Sequence, residues 1–530
     1  MLQRETVAKE KLLLYVAITV ATLGAIHYFV LHWALIFEPM PLAIREPAPI
    51  VISEAYGEGL KEGELWPYSE QRYPELTSVY GPIYTMAAGA LHVVFDVNPY
   101  TMHRSFVGLT LLGSALLCGL LVWRKANGFV ALVAASWFYL IQVASVTVTV
   151  TAGPSALAVL FYLLGIAAIL RFGPGRLGLL LAISMGFLGF LTKPYASLII
   201  PAALIYVYLF HSPRRALNAA GLTLLATGAL FLVASAWMPT YFHSVFQIHS
   251  AFATRILDNL LGQTLTFSKL NFGLVLAFLL ALPLSGYALK LRKIKSLWGR
   301  SPLIEPDIGI DRLLVIVACV VLFASLGWHG GAYLIYYNHL LLPPLILAAL
   351  SYNYGSLWRG AVVLLVLILN LVMLALWRPP LPQDNDAHLG VMSQLLGKRA
   401  LVDPVLEPIA RLFSEVALVD NGQAEYLVYY DRHHPGCWSS RSAAWESQIA
   451  SELAKQTYEV ILLAPQFGRE SLIFNGVISE ELRGNYELTH RMEIPIYFHH
   501  FKDWRLFGRG HSEIYLFQNR GDMNNQAVEK

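Results

Sequence analysis

At 530 residues, the chain is 56% hydrophobic and only 14% charged, where a soluble protein carries about a quarter charged residues. That balance, with a mean hydropathy of +0.53, excludes a single soluble core and asks for a bilayer. The net charge of +3 is too small to predict a nucleic-acid partner. The three cysteines, Cys118, Cys319 and Cys437, give neither a disulfide framework nor a zinc site.

The first apolar run, 12-LLLYVAITVATLGAIHYFVLHWALIF-37, is too long for a signal-peptide core, and no small-residue cleavage site follows it. It is expected to be a retained span. Ten more are expected near 103–123, 128–148, 155–171, 177–192, 195–211, 215–237, 272–290, 312–328, 333–350 and 360–378. The N-terminal tail holds Arg4, Lys9 and Lys11 and is taken as cytoplasmic. The connections that then also fall inside are 123-WRKANG-128, 171-RFGPGR-176, 211-HSPRRALN-218, 290-KLRKIKSLWGR-300 and 351-SYNYGSLWRG-360, and every one is basic. The connections on the other side, 38–102, 149–154, 193–194, 238–271 and 329–332, are acidic or nearly uncharged with a few isolated cations.

Within the first outer loop, 80-YGPIYTMAAGALHVVFDV-97 is apolar but short, and counting it as a span breaks this parity. It is expected to be a surface helix with Pro82 in its first turn. After Arg378 the composition turns polar and mixed. There 459-EVILLAP-465 and 513-EIYLFQ-518 predict strands, and 443-AAWESQIASELAKQ-456 predicts an amphipathic helix. The expected fold is thus a multi-pass α-helical membrane unit over 1–378 and a small α/β unit over 379–530 on the outer side.

The same parity gathers polar groups at the outer boundary. Loop 38–102 carries Glu46, Glu54, Glu70 and Arg72, and Arg104 opens the second span. Lys193 stands between two apolar runs in 190-FLTKPYASLII-200. His243, His249 and Arg255 follow, then His329, Asn338 and His339 in 326-LGWHGGAYLIYYNHLLLPP-344. Singly these have ordinary readings: solvated glutamates, cations anchored at helix ends, a satisfied polar pair between helices. His433 and His434 have no second pair of ligands near them. Together, outer carboxylates and outer cations suit transfer from a lipid-linked phosphate. A carboxylate accepts the proton of an attacking hydroxyl, and Lys or Arg neutralises the leaving phosphate.

The order of a first span, an acidic loop, 80-YGPIY-84, 95-FDVNP-99, Arg104, "LTKPYA" and "HGGAYLIYYNHLLLPPLILAA" resembles the GT-C superfamily of membrane glycosyltransferases. In particular it looks like the bacterial branch related to protein mannosyltransferases and the lipid A aminoarabinose transferase. The tail, with "RALVDPVLEPIARLF" and "YEVILLAP", is similar to that branch's outer C-terminal domain. The resemblance implies a polyprenyl-phosphate-linked sugar donor and an outer-face glycan, lipid or protein acceptor, in a bacterial inner membrane. It implies Glu46 as base, with Glu54 second, although the usual Asp is replaced here by "REPAP". It implies Lys193, Arg104, His329 and His339 at the donor phosphate, and Tyr80, Tyr84, Asn338 and Arg255 positioning substrate. No acid stands in 150-VTAGPSALAV-159, where relatives often have Asp, so no metal and no other cofactor is predicted. Two rivals share these features: an envelope polymerase or ligase acting on a preassembled lipid-linked glycan, and a flippase or transporter. The early main loop argues against the first, and the lack of internal symmetry argues against the second.

Overall fold

The structure, a computed structural model, describes residues 32–37, 47–62, 80–95, 97–123, 128–145, 152–237, 310–324, 393–402, 416–418, 439–463, 484–498 and 508–520, with single helical positions between 12 and 30 and between 340 and 347. These residues are mostly helical. The helices are α1 (Pro47–Lys61), α2 (Pro82–Val94), α3 (Pro99–Trp123), α4 (Gly128–Ser145), α5 (Ser155–Phe172), α6 (Arg176–Phe190), a 3-10 turn (Pro194–Leu198) running into α7 (Ile199–Phe210), α8 (Pro213–Trp237), α9 (Ile310–Ala324) and α10 (Ser439–Ala454). Among the described residues α3, α5 and α8 are long and apolar enough to cross a membrane. The expected spans at 272–290 and 360–378 lie outside the described residues.

Local chemistry starts the helices that matter. Asn98 caps α3: its Oδ1 accepts the Tyr100 and Thr101 amides at 2.9 and 3.3 Å, and Pro99 fills the first position, where no amide is needed. Pro82 opens α2 in the same way, after extended Gly81. Small residues let the helices close on one another. A methyl on Gly186 would meet Ile200 at 2.3 Å, one on Gly165 would meet Ile199 at 2.7 Å, and one on Gly189 would meet Ala196 at 2.8 Å. These approaches draw α5, α6 and α7 together and fix the turn between α6 and α7 where Lys193 sits. One core runs through them, joining Tyr84 and Ala88 of α2, Leu111 and Cys118 of α3, Trp137 and Phe138 of α4, Tyr162 of α5 and Leu313 and Val317 of α9.

Ahead of α3, the described residues of loop 38–102 form α1 and α2. α1 packs along α2 through glycine: a methyl on Gly57 would lie 2.8 Å from Gly89 O, and one on Gly89 would lie 2.6 Å from Ser53 O.

The later residues build a five-stranded sheet from β1 (Ala400–Val402), β2 (Val416–Leu418), β3 (Val460–Leu463), β4 (Tyr486–Phe498) and β5 (Gly508–Asn519), in the order β2-β1-β3-β5-β4. β1 pairs in parallel with β2 (Ala400 opposite Val416) and with β3 (Ala400 opposite Val460). β5 runs antiparallel to β3 (Gln518 opposite Val460) and to β4 (Asn519 opposite Tyr486), with an irregularity between Leu488 and His490. α10 buries Trp445, Ile449 and Leu453, a stripe of four-residue steps. It also links β2 to β3, the crossover that strands of one direction require.

Candidate functional site

The most unusual side chain is Lys193, which is 1% exposed. Its Nζ donates to Ser155 Oγ at 2.9 Å and lies 5.5 Å from the centre of the Tyr80 ring and 5.7 Å from that of Tyr195. The aromatic faces offer a cation their negative quadrupole. Ser155 is the first residue of α5, whose cap residue Pro154 makes no side-chain bond to the helix. The Ser155 oxygen, at the first helical position, accepts the hydrogen bond of the ammonium group.

α2 begins on the same turn. The Gly81 amide donates to Thr192 O at 3.2 Å, and the Ile83 amide donates to Leu191 O at 3.1 Å. Backbone lies against backbone here, since a methyl on Gly81 would fall 1.7 Å from Leu191 O. The starts of α2 and α5 and the end of α6 therefore meet at Lys193; the Gly81 and Ile83 amides are taken by carbonyls at the end of α6, so the buried ammonium group is what offers an anion its charge.

A second chain of polar contacts joins α2, α3 and the turn before α5. The Gly153 amide donates to Tyr84 Oη at 3.0 Å. Tyr84 Oη is 2.9 Å from His103 Nδ1, and His103 Nε2 is 3.1 Å from His92 Nε2. Tyr84 and His103 are fully buried, while His92 is half-buried in the last turn of α2. Burial, and next the charge of Lys61, hold His92 down to about 4, so it is neutral at pH 7. His92 and His103 supply two imidazoles, but no group of three or more His, Cys, Asp or Glu among the described residues is placed to hold a metal ion.

Arg104 is 0% exposed. It donates from Nη1 to Leu35 O at 3.3 Å and stands 5.0 Å from the Tyr100 ring centre. It ties the end of the first helical run to the start of α3. Glu54 lies on α1, half-exposed as a residue with its Oε2 buried. Of the expected site residues, Tyr80 and Lys193 meet directly, and Tyr84 reaches the Lys193 region through Gly153 and Ser155. Glu46, Arg255, His329, Asn338 and His339 lie outside the described residues. Sequence reasoning missed Ser155, His92 and His103. A hydroxyl and two imidazoles inside apolar stretches carry no signal that separates them from ordinary packing.

No family model matches the chain, and no curated protein matches it. Among solved structures it is similar to ArnT from Cupriavidus metallidurans, whose crystal structure was determined bound to undecaprenyl phosphate. The alignment covers 93% of this chain and 97% of that one, at 12% identity and a TM-score of 0.46.

The chemistry of the Lys193 site follows from its parts. A buried ammonium group stabilises negative charge better than the same group does in water, because little solvent screens it. The site suits holding a phosphate, or taking up charge on a phosphate as a bond to it breaks.

Proposed function

We propose that this chain is a membrane glycosyltransferase that moves a sugar from a polyprenyl-phosphate-linked donor to an acceptor on the extracytoplasmic face, with inversion. The single observation that carries the reading is Lys193: a lysine closed to solvent at the meeting point of two helix starts, in a chain rich in apolar helices. The alternation of basic and non-basic connections supports an eleven-span topology, and the sequence resemblance to the bacterial branch supports a bacterial inner membrane. That topology has a cytoplasmic N-terminus, a membrane unit over 1–378 and an outer α/β unit over 379–530.

In this reading the polyprenyl chain lies among the spans with its phosphate at Lys193, and Arg104, His329 and His339 complete the phosphate subsite. Tyr80, Asn338 and Arg255 position the substrates, and Tyr84 does so through Gly153 and Ser155. The acceptor oxygen attacks the anomeric carbon and forms the new C–O bond. The bond from that carbon to the phosphate oxygen breaks, and its electron pair stays on the phosphate. The acceptor's proton passes to Glu46, or to Glu54 on α1, which is packed against the α2 that Lys193's turn anchors. No metal or other cofactor is required by these steps.

The test uses protein in sealed proteoliposomes, titrated with undecaprenyl phosphate and supplied with a panel of undecaprenyl-phosphate-linked sugars and a panel of lipid, glycan and peptide acceptors. Wild type should bind the phosphate and release it from a sugar-linked donor, and Lys193→Met should lose both. Binding unchanged in Lys193→Met refutes the site. Movement of donor across the bilayer without product marks a flippase, and transfer of long glycans only marks a polymerase or ligase.

A further inference from the structure

We infer that Ser155 and Tyr84 are positioning residues that set where the Lys193 charge stands, so that the phosphate selectivity of the site depends on two hydroxyls that act through protein groups. The inference rests on the proposed phosphate role of Lys193. Lysine reaches its end through a flexible stem with rotatable donors, so burial alone does not fix the ammonium group to one place. Ser155 Oγ does this directly, at 2.9 Å. Ser155 is in turn held from behind. Tyr84 Oη accepts the amide of Gly153, two residues upstream, and His103 Nδ1 lies 2.9 Å from the same oxygen. Between them stands Pro154, whose φ of −76° is held by its ring. Pinning the Gly153 amide therefore pins the first residue of α5.

The route from Tyr84 to the cation thus runs Tyr84, Gly153, Pro154, Ser155, Lys193. Tyr84 and Ser155 are 1% and 0% exposed. Removing either hydroxyl leaves a buried donor that must find another partner by moving. The chain also accounts for a tyrosine where Phe would pack as well: its ring already lies against Phe106 and His103, and only the hydroxyl reaches Gly153.

The experiment compares two ligands with the same chain, undecaprenyl phosphate and neutral undecaprenol, on full-length protein in phospholipid nanodiscs. The readout is the ratio of their dissociation constants. A hydroxyl that only supports the fold would weaken both ligands alike and leave the ratio unchanged. Ser155→Ala and Tyr84→Phe should each lower the phosphate-to-alcohol preference by about tenfold, as a hydrogen bond to a charged group implies. Ser155→Thr, which keeps the hydroxyl, should restore most of it. Lys193→Met should abolish the preference altogether. If Lys193→Met leaves the ratio untouched, the phosphate site itself is wrong. If Lys193→Met abolishes it while Ser155→Ala and Tyr84→Phe keep it, the site stands and the positioning role is refuted.

Discussion

Gly81→Ala tests whether α2 is built onto the Lys193 turn. The backbone at Gly81 is ordinary, with φ −66° and ψ 158°, so alanine brings no conformational strain. The cost is steric. The added methyl stands 1.7 Å from Leu191 O and 2.0 Å from Leu191 C, where ordinary contact begins at 3.4 Å. Backbone cannot rotate out of the way as a side chain can, so the two segments must part by half that ordinary separation. The amide bonds at 3.2 and 3.1 Å from Gly81 and Ile83 to Thr192 and Leu191 do not survive such a shift. Two lost bonds cost about 1 kcal/mol each and overpacking adds about 1–3 kcal/mol, which together come to about 3–5 kcal/mol. Gly113 is the control, because nothing lies within 4 Å of a methyl there. Gly113→Ala in α3 should gain about 0.5–1 kcal/mol from helix propensity. The assay is unfolding in mixed micelles of rising SDS fraction, followed by tryptophan fluorescence, with undecaprenyl phosphate affinity measured in parallel. Equal stability and equal affinity in Gly81→Ala and wild type would show that the close approach is not real.

The remaining expectations concern other parts of the chain. His92 titrates near 6.5 when unfolded and at about 4 when folded, so the unfolded chain binds the extra proton between these values. Stability is therefore fullest above pH 6.5 and falls as pH drops towards about 4; unfolding curves over that window should flatten in His92→Gln, and an unchanged slope removes the argument. Glu46→Gln or Glu54→Gln, whichever carries the base, should lower turnover by about 10²–10⁴-fold with donor binding retained, as read by release of undecaprenyl phosphate. Full turnover in both variants and in the double variant rules out a base at either position. Between α10 and β3, Tyr458 donates to the Glu452 carboxylate, and burial together with that bond pushes its phenol up. Tyr458→Phe should cost about 1.5–3 kcal/mol, as expected for a bond to a charged group, seen as faster amide exchange in β3; protection equal to wild type counts against it.

How far the sequence reached depended on whether a residue type was out of place. Lys193 stood out because a charge between two apolar runs is costly unless it faces protein or the interface. Pro82 marked the start of α2, since proline fits a first helical turn. The strands expected at 459–465 and 513–518 fall on β3 and β5, where a short continuous apolar run marks a buried strand. By contrast α1 was not located, because its fifteen residues hold glycines, glutamates and two prolines that carry no clean helical stripe. Its helix is stabilised by α2, whose Gly89 leaves the groove that α1 fills. The Ser155 and His103 roles were hidden for a related reason. Their partners are 38 residues away for Ser155, and 19 and 11 for His103, and no local pattern encodes a contact of that range.

The strand order also governs assembly. Among the described strands β5 alone touches both β3 and β4, and it is the last of them in chain order. Until residues 508–519 arrive, β1, β2 and β3 form a short parallel ribbon with one side of Val460–Leu463 open. An unpaired apolar strand edge of this kind is a template for pairing with other molecules. A clip or premature stop ahead of Gly508 would therefore do more than shorten the protein: it would convert the tail into a seed for aggregation, even with every helix before it correctly inserted.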